Sequence, residues 1–176
     1  MDEKNIGSVC FAGHRNINLS SDTHMLLVSQ LKTLINDGCS DFYSGGSVGW
    51  DTVCERAVLD LKANGLDIRL HLILPCPFEE QTRGWSEEEK QEFLEIQSQA
   101  DSIEYVSTHY SDDCMKKRNQ KLIDSSDMVI CYFDGRRTRS GTGQTVRMAE
   151  TKGLPIKNFL FYKAKATSKS APQFPN

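Results

Sequence analysis

The 176 residues contain six cysteines but no Cys-x-x-Cys pair, which argues against a disulfide framework and against a structural zinc site in a chain of this length. Four of them (Cys10, Cys39, Cys54 and Cys131) fall in apolar strand or helix patterns, where a thiol packs as a small hydrophobe. Cys76 and Cys114 lie nearer loops and are the two kept as candidates for chemistry. No apolar run approaches the ~20 residues needed to span a bilayer. The opening Met-Asp-Glu-Lys-Asn has no apolar stretch behind a basic start. These absences predict a cytoplasmic protein with no membrane partner and no metal. Two common nucleotide fingerprints are also missing, since neither Gly-x-Gly-x-x-Gly nor Gly-x-x-x-x-Gly-Lys-[Ser/Thr] occurs.

The formal net charge is −3, so nucleic acid is not an expected partner. The charge is uneven, however. Residues 115–147 carry eight basic side chains against three acidic ones, a local excess suited to a small anionic ligand or to a solvated face.

Hydrophobic periodicity predicts strands at 6–12, 39–43, 68–74, 102–106, 128–133 and 156–161. A helix capped by Ser20-Ser21-Asp22 runs to Gly38, and a second follows the glycines at 45–49 and closes at Asn64-Gly65. Further helices are expected at 86–97, 113–124 and 143–152. Regular alternation of strand and helix predicts one α/β domain over residues 1–162, with a three-layer, Rossmann-like, doubly wound and mostly parallel sheet. Residues 163–176 have no apolar period and read as a flexible tail.

In such a sheet the strand-to-helix loops share one edge. Three loops of interest therefore converge: Gly13-His14-Arg15, residues 44–51, and residues 134–144. Ser44, Gly45, Gly46 and Gly49 lie between a strand and a helix, where backbone N–H groups can approach an anion. Asp51 either caps that helix or accepts from ribose hydroxyls. Arg15 is suited to clamp a phosphate or carboxylate, and His14 to donate to a ligand or act as a base, or to serve structure alone. Ser140, Gly141, Thr142, Gly143 and Gln144 open the fifth helix as a second anion cradle, or simply as an N-cap. Asp134, just after the fifth strand, completes the ligand set. Residues 75–85 form a rim, and Trp85 either stacks on a base or packs beneath the loop.

Taken in order, Phe11-Ala12-Gly13-His14-Arg15, Ser44-Gly45-Gly46 with Gly49 and Asp51, and Pro75-Cys76-Pro77 with Gln81 and Trp85 resemble the YpsA-like family. Tyr110, Cys114-Met115, Arg118-Asn119, strand 128–133 and Ser140-Gly141-Thr142 with Thr145 extend the match over roughly residues 6–160. That family belongs to the SLOG superfamily, with the LOG-type phosphoribohydrolases and the DNA-processing DprA proteins. The resemblance implies a nucleotide or nucleotide-derivative pocket at the strand C-termini, with the loops at Gly45-Gly46 and Gly141-Thr142 as phosphate elements. It also implies a homo-oligomer. Arg118 is the match for the LOG-type arginine, with Asn119 beside it. Thr145 stands where those hydrolases carry a catalytic Glu, and a hydroxyl cannot supply the negative charge that such a reaction needs. The expected function is therefore binding of a nucleotide derivative, ADP-ribose-like or similar, as a sensor or regulatory module. The alternative is N-glycosidic hydrolysis through another carboxylate, Asp51 or Asp134.

Overall fold

The computed structural model describes residues 5–160, so the expected tail at 163–176 and both outer limits of the expected domain lie outside it. The chain order is β1 (Ser8–Gly13), α1 (Ser21–Asn36), β2 (Asp41–Ser44), α2 (Trp50–Ala63), β3 (Arg69–Leu74) and α3 (Phe78–Gln81). It continues with α4 (Glu87–Gln99), β4 (Ser102–Tyr105), α5 (Cys114–Asp124), β5 (Met128–Tyr132), α6 (Gly141–Lys152) and β6 (Ile156–Asn158). The six strands form one sheet in the order β4-β3-β2-β1-β5-β6, and every pairing is parallel.

The two central strands, β1 and β5, are apolar on both faces, as doubly covered parallel strands are. In β1, Val9 and Phe11 join a core with Leu27 and Leu31 of α1, Val58 of α2, and Phe93 and Ile96 of α4. Cys10 and Ala12, pointing the other way, pack with Leu122 and Ile123 of α5 and Val146 and Ala149 of α6. The result is the expected three-layer sandwich. Helix starts follow local chemistry. Ser20 Oγ accepts the Thr23 N–H at 3.2 Å to open α1, and Ser86 with Glu89 forms a reciprocal capping box on α4.

Two elements depart from the sequence expectation. Of the strand expected at 156–161, whose last residue lies outside the described ones, three residues pair (Ile156–Asn158), and beyond them the Asn158 side chain takes over from the backbone. Its Oδ1 accepts the Phe133 and Leu160 N–H groups, and its Nδ2 donates to the Phe133 carbonyl. Phe159 then turns inward against Trp50, with ring centroids 5.6 Å apart. The second departure is the short α3, which starts directly after Pro77, inside the segment 75–85 that the sequence reads as a rim with no helix.

Chain connectivity reverses at β1. From there the chain first lays β2, β3 and β4 on one side, then crosses back to place β5 and β6 on the other. At such a reversal the loops leaving adjacent strands diverge and open a crevice at the strand C-termini.

Candidate functional site

The crevice beyond β1 and β5 holds a cavity of about 400 Å³. Its walls come from four segments. Gly13, His14, Arg15 and Asn16 follow β1; Ser47 and Asp51 belong to the β2–α2 junction; Arg118 and Asn119 project from α5; Arg137, Ser140, Gly141, Thr142, Gln144 and Thr145 surround the start of α6.

The α6 wall is rich in donors. Ser140 Oγ takes the Gly143 N–H at 3.0 Å, and the Ser140 carbonyl takes the Gln144 N–H. The Gly141 and Thr142 N–H groups precede the first intrahelical bond and so have no acceptor within the helix. A Cβ placed at Gly141 would meet nothing within 4 Å, so the backbone there is open to approach. Arg15 and Arg137 add positive charge beside the partial charge of the helix end. Thr145 Oγ1 donates back to the Gly141 carbonyl at 3.1 Å, which commits the hydroxyl at the position where a LOG-type Glu would stand.

The opposite wall is a buried acid. Asp51 is 5% exposed; its Oδ2 accepts the Ser47 N–H at 3.1 Å, and its Oδ1 is buried with no donor among the described residues. Asp51 is not the N-cap of α2, which is Gly49. Burial pushes its carboxyl up to about 6, against the pull of Arg118, the Ser47 N–H and Arg15. One helical turn on, Glu55 accepts the Ser44 hydroxyl at 2.6 Å and leaves Oε2 unpaired. Burial, reinforced by the Asp51 charge, pushes Glu55 up to about 8.

Arg118 connects the walls. It is 6% exposed, donates through Nη1 to the Gly45 carbonyl and through Nε to Asn119 Oδ1 at 2.8 Å. Asn119 Nδ2 in turn donates to Gln144 Oε1 at 3.2 Å. This relay ties α5 to the loop after β2 and to the first turn of α6.

His14 has a defined role in the loop geometry. Its Nε2 accepts the Asp134 N–H at 3.0 Å, so the proton of the neutral ring sits on Nδ1. Burial and the nearby Arg137 lower its pKa. His14 thus holds the chain after β5 in place, and its Nε2 is not free to act as a base.

Six expected site residues do not line the cavity. Ser44 is fully buried and bonded to Glu55. Gly45 lies behind the cavity, because a Cβ there would sit 2.1 Å from Arg118 Nη1. Gly46, at φ +65°, presents its carbonyl to Gln81 Nε2 at 2.9 Å, and a Cβ would strike Leu74 and Phe93. Gly49, at φ +89°, has the Arg15 carbonyl where a Cβ would be. Gly143 packs beneath the Thr138 carbonyl in the same way. Asp134 pairs with Arg136, its Oδ2 2.7 Å from Nη2, and this partner holds the carboxylate down to about 2. Among the described residues that line the cavity, Asp51 is the one carboxylate.

Trp85 packs rather than stands free. It is 8% exposed, its ring lies against Phe93 at 5.4 Å, and the Arg15 guanidinium carbon sits 5.9 Å from the ring centroid. Cys76 and Cys114 are both fully buried; burial pushes the Cys76 thiol up to about 11, away from the thiolate that nucleophilic chemistry needs. Sequence reasoning counted Arg137 only in the basic excess of residues 115–147, and it missed Ser47, Asn16 and Glu55. Only Glu55 leaves a signal, as a second acid one turn after Asp51 among apolar helix positions.

No helix of the described residues is long and apolar enough to cross a membrane. A wholly parallel, doubly wound sheet with a donor-rich cavity at its reversal point places the protein in the Rossmann-like class. Within that class a family model, YpsA (YspA SLOG family), matches residues 10–163. The chain belongs to this family. It is 27% identical over 135 residues to UPF0398 proteins of Bacillus thuringiensis (strain Al Hakam) and Bacillus cereus (strain AH187), covering 76% of this chain and 71% of each relative. Among solved structures it is similar to DNA processing protein A from Helicobacter pylori, which binds single-stranded DNA (TM-score 0.59, 17% identity, 91% of this chain and 72% of that one). It is also similar to TM1055, a structural-genomics target (TM-score 0.53, 14% identity, 90% of this chain and 80% of that one). At these identities the likeness shows the fold.

Proposed function

We propose that this protein binds a nucleotide or nucleotide derivative, ADP-ribose-like or similar, in the cavity at the C-terminal edge of the sheet, as a sensor or regulatory module. The observation that carries the reading is the pairing, across one cavity, of the open first turn of α6 with the orphan Oδ1 of Asp51. The first accepts an anion, with Arg15 and Arg137 beside it. The second calls for a hydroxyl or N–H donor, because an unsatisfied buried acceptor costs roughly 1–3 kcal/mol. A sugar phosphate supplies both groups on one molecule.

A second reading, N-glycosidic hydrolysis, draws support from Asp51 alone. Its raised pKa and its place in the cavity are features of a group that exchanges a proton during a reaction. The experiment is a calorimetric binding panel of inorganic phosphate, nucleoside monophosphates, ADP-ribose and an oligothymidylate, with each mixture then analysed for products. Saturable binding of a nucleotide without turnover supports the sensor reading. Turnover that disappears in Asp51→Asn while binding persists supports hydrolysis. Binding of the oligothymidylate alone would transfer the site to single-stranded DNA and overturn both.

A further inference from the structure

A second, smaller cavity of about 290 Å³ opens beside the first, and Arg15, Ser47 and Met115 line both. Its size lies just below the roughly 300–1,000 Å³ of sites that take a whole drug-sized ligand, the scale of one ring system. Its lining is also of another kind. Where the first cavity presents helix N–H groups and a buried acid, this one adds Pro75, Trp85 and Tyr110 and the Gln81 amide, with Arg15, Glu80 and Arg83 as its charged members.

Two features suit it to a heteroaromatic ring. Tyr110 is held in place by its backbone, because its N–H donates to Glu80 Oε2 at 2.6 Å, yet 56% of the residue is exposed. An exposed aromatic side chain on a loop whose backbone is held offers a face on which a base can stack. The Gln81 amide is fixed in orientation, since Nε2 donates to the Gly46 carbonyl. That leaves Oε1, which is buried and has no donor among the described residues.

We propose that this cavity, bounded by Pro75, Gln81, Trp85, Tyr110 and Met115, is a second lobe of the ligand site that seats the base of the bound nucleotide and selects one carrying an exocyclic amino group. The inference rests on the nucleotide reading of the first cavity and adds the class of base. The amino group donates to Gln81 Oε1, and the ring stacks on Tyr110. A base with a carbonyl at the same position would set two acceptors against each other.

The test is calorimetric titration of the full chain with ribose 5-phosphate, AMP and IMP, using the native protein, Tyr110→Ala and Tyr110→Phe. Ribose 5-phosphate reports on the first cavity alone. The expected result is that AMP binds about tenfold or more tighter than ribose 5-phosphate, the scale of one base–aromatic stack. AMP should also exceed IMP by about tenfold, the scale of one hydrogen bond exchanged for an unpaired acceptor. Tyr110→Ala should remove most of the AMP advantage and leave ribose 5-phosphate unchanged, and Tyr110→Phe should retain it. Equal affinity for AMP and ribose 5-phosphate, equal affinity for AMP and IMP, or an AMP affinity unmoved in Tyr110→Ala would each overturn the second lobe while the first cavity stands. Failure of all three compounds to bind would overturn the nucleotide reading and the lobe with it.

Discussion

Gly45→Ala probes the keystone of the site, the seat of Arg118. A Cβ at this position would lie 2.1 Å from Nη1 and 2.6 Å from Cζ of Arg118, so the guanidinium must move. The contact is with the end of a flexible side chain, and the steric term is therefore small once it swings away. What decides the cost is what the guanidinium gives up, namely its bond to the Gly45 carbonyl and its alignment with Asn119. A hydrogen bond to a charged group contributes about 1.5–3 kcal/mol, which for a domain of this size corresponds to a fall of about 3–12 °C in Tm. Gly49→Ala should cost more, because its Cβ would meet the Arg15 carbonyl carbon and oxygen, which are backbone, at φ +89°. Urea unfolding of both variants, and of Gly45→Ala in an Arg118→Met background, measures this. Coupling is expected, since a methionine at 118 has no bond to lose and the alanine then costs little. Strict additivity, to within about 0.5 kcal/mol, would mean that the two positions are independent and would refute the reasoning.

Further outcomes follow from the buried acids and the loop contacts. Glu55 is raised from its usual range to about 8, so the folded state holds a proton that the unfolded chain releases above about pH 4. Its contribution is present at low pH and lost as pH rises through about 8, a slope near 1.4 kcal/mol per pH unit inside that window. Glu55→Gln, which cannot ionise, should therefore gain roughly 3 kcal/mol on the native protein between pH 5 and pH 7 by urea titration; a flat difference would show the acid already ionised in the fold. His14→Ala should leave the Asp134 N–H without its acceptor, cost about 1–2 kcal/mol and speed exchange of that amide, and unchanged exchange would place the loop's anchor elsewhere. His14 is also lowered by burial and Arg137, so its contribution is present above its unfolded pKa and lost as pH falls through its folded one. The same amide should loosen on acidification, seen as exchange faster than the intrinsic pH trend. Asp51→Asn should keep the fold while weakening sugar-phosphate binding about tenfold, as loss of one charge-assisted acceptor implies; an unchanged Kd would detach Asp51 from the ligand.

The fold was legible because its determinants are local. Val9 to Ala12 are apolar on both faces, Ser20 and Ser86 cap their helices by side chain, and strand and helix alternate without repeat. The edge strand β4 was legible from Ile103 and Tyr105 even though all four of its residues are exposed. The site was legible only as a place. His14, Arg15, Asp51, Arg118 and the start of α6 do converge, because sheet topology brings strand-to-helix loops together whatever their composition. The reason for each glycine was not legible, since a glycine required by a ligand and one required by a neighbouring side chain look alike in sequence. Gly45 yields to Arg118, 73 residues away, and Gly46 yields to Leu74 and Phe93. Glu55 escaped notice for a similar reason. It is buried and its partner is Ser44, a contact made only after the strand and helix have docked.

The most direct test of nucleotide binding at this edge is an NMR titration of the ¹⁵N-labelled chain with ribose 5-phosphate and with AMP, following the backbone amides of Gly141 and Thr142. Binding at the first turn of α6 should move both resonances in a saturable manner, together with Ser47 beside Asp51. Those three amides staying fixed at millimolar ligand, or shifts confined to the exposed arginines 136 and 139 on adding an oligothymidylate, would contradict it.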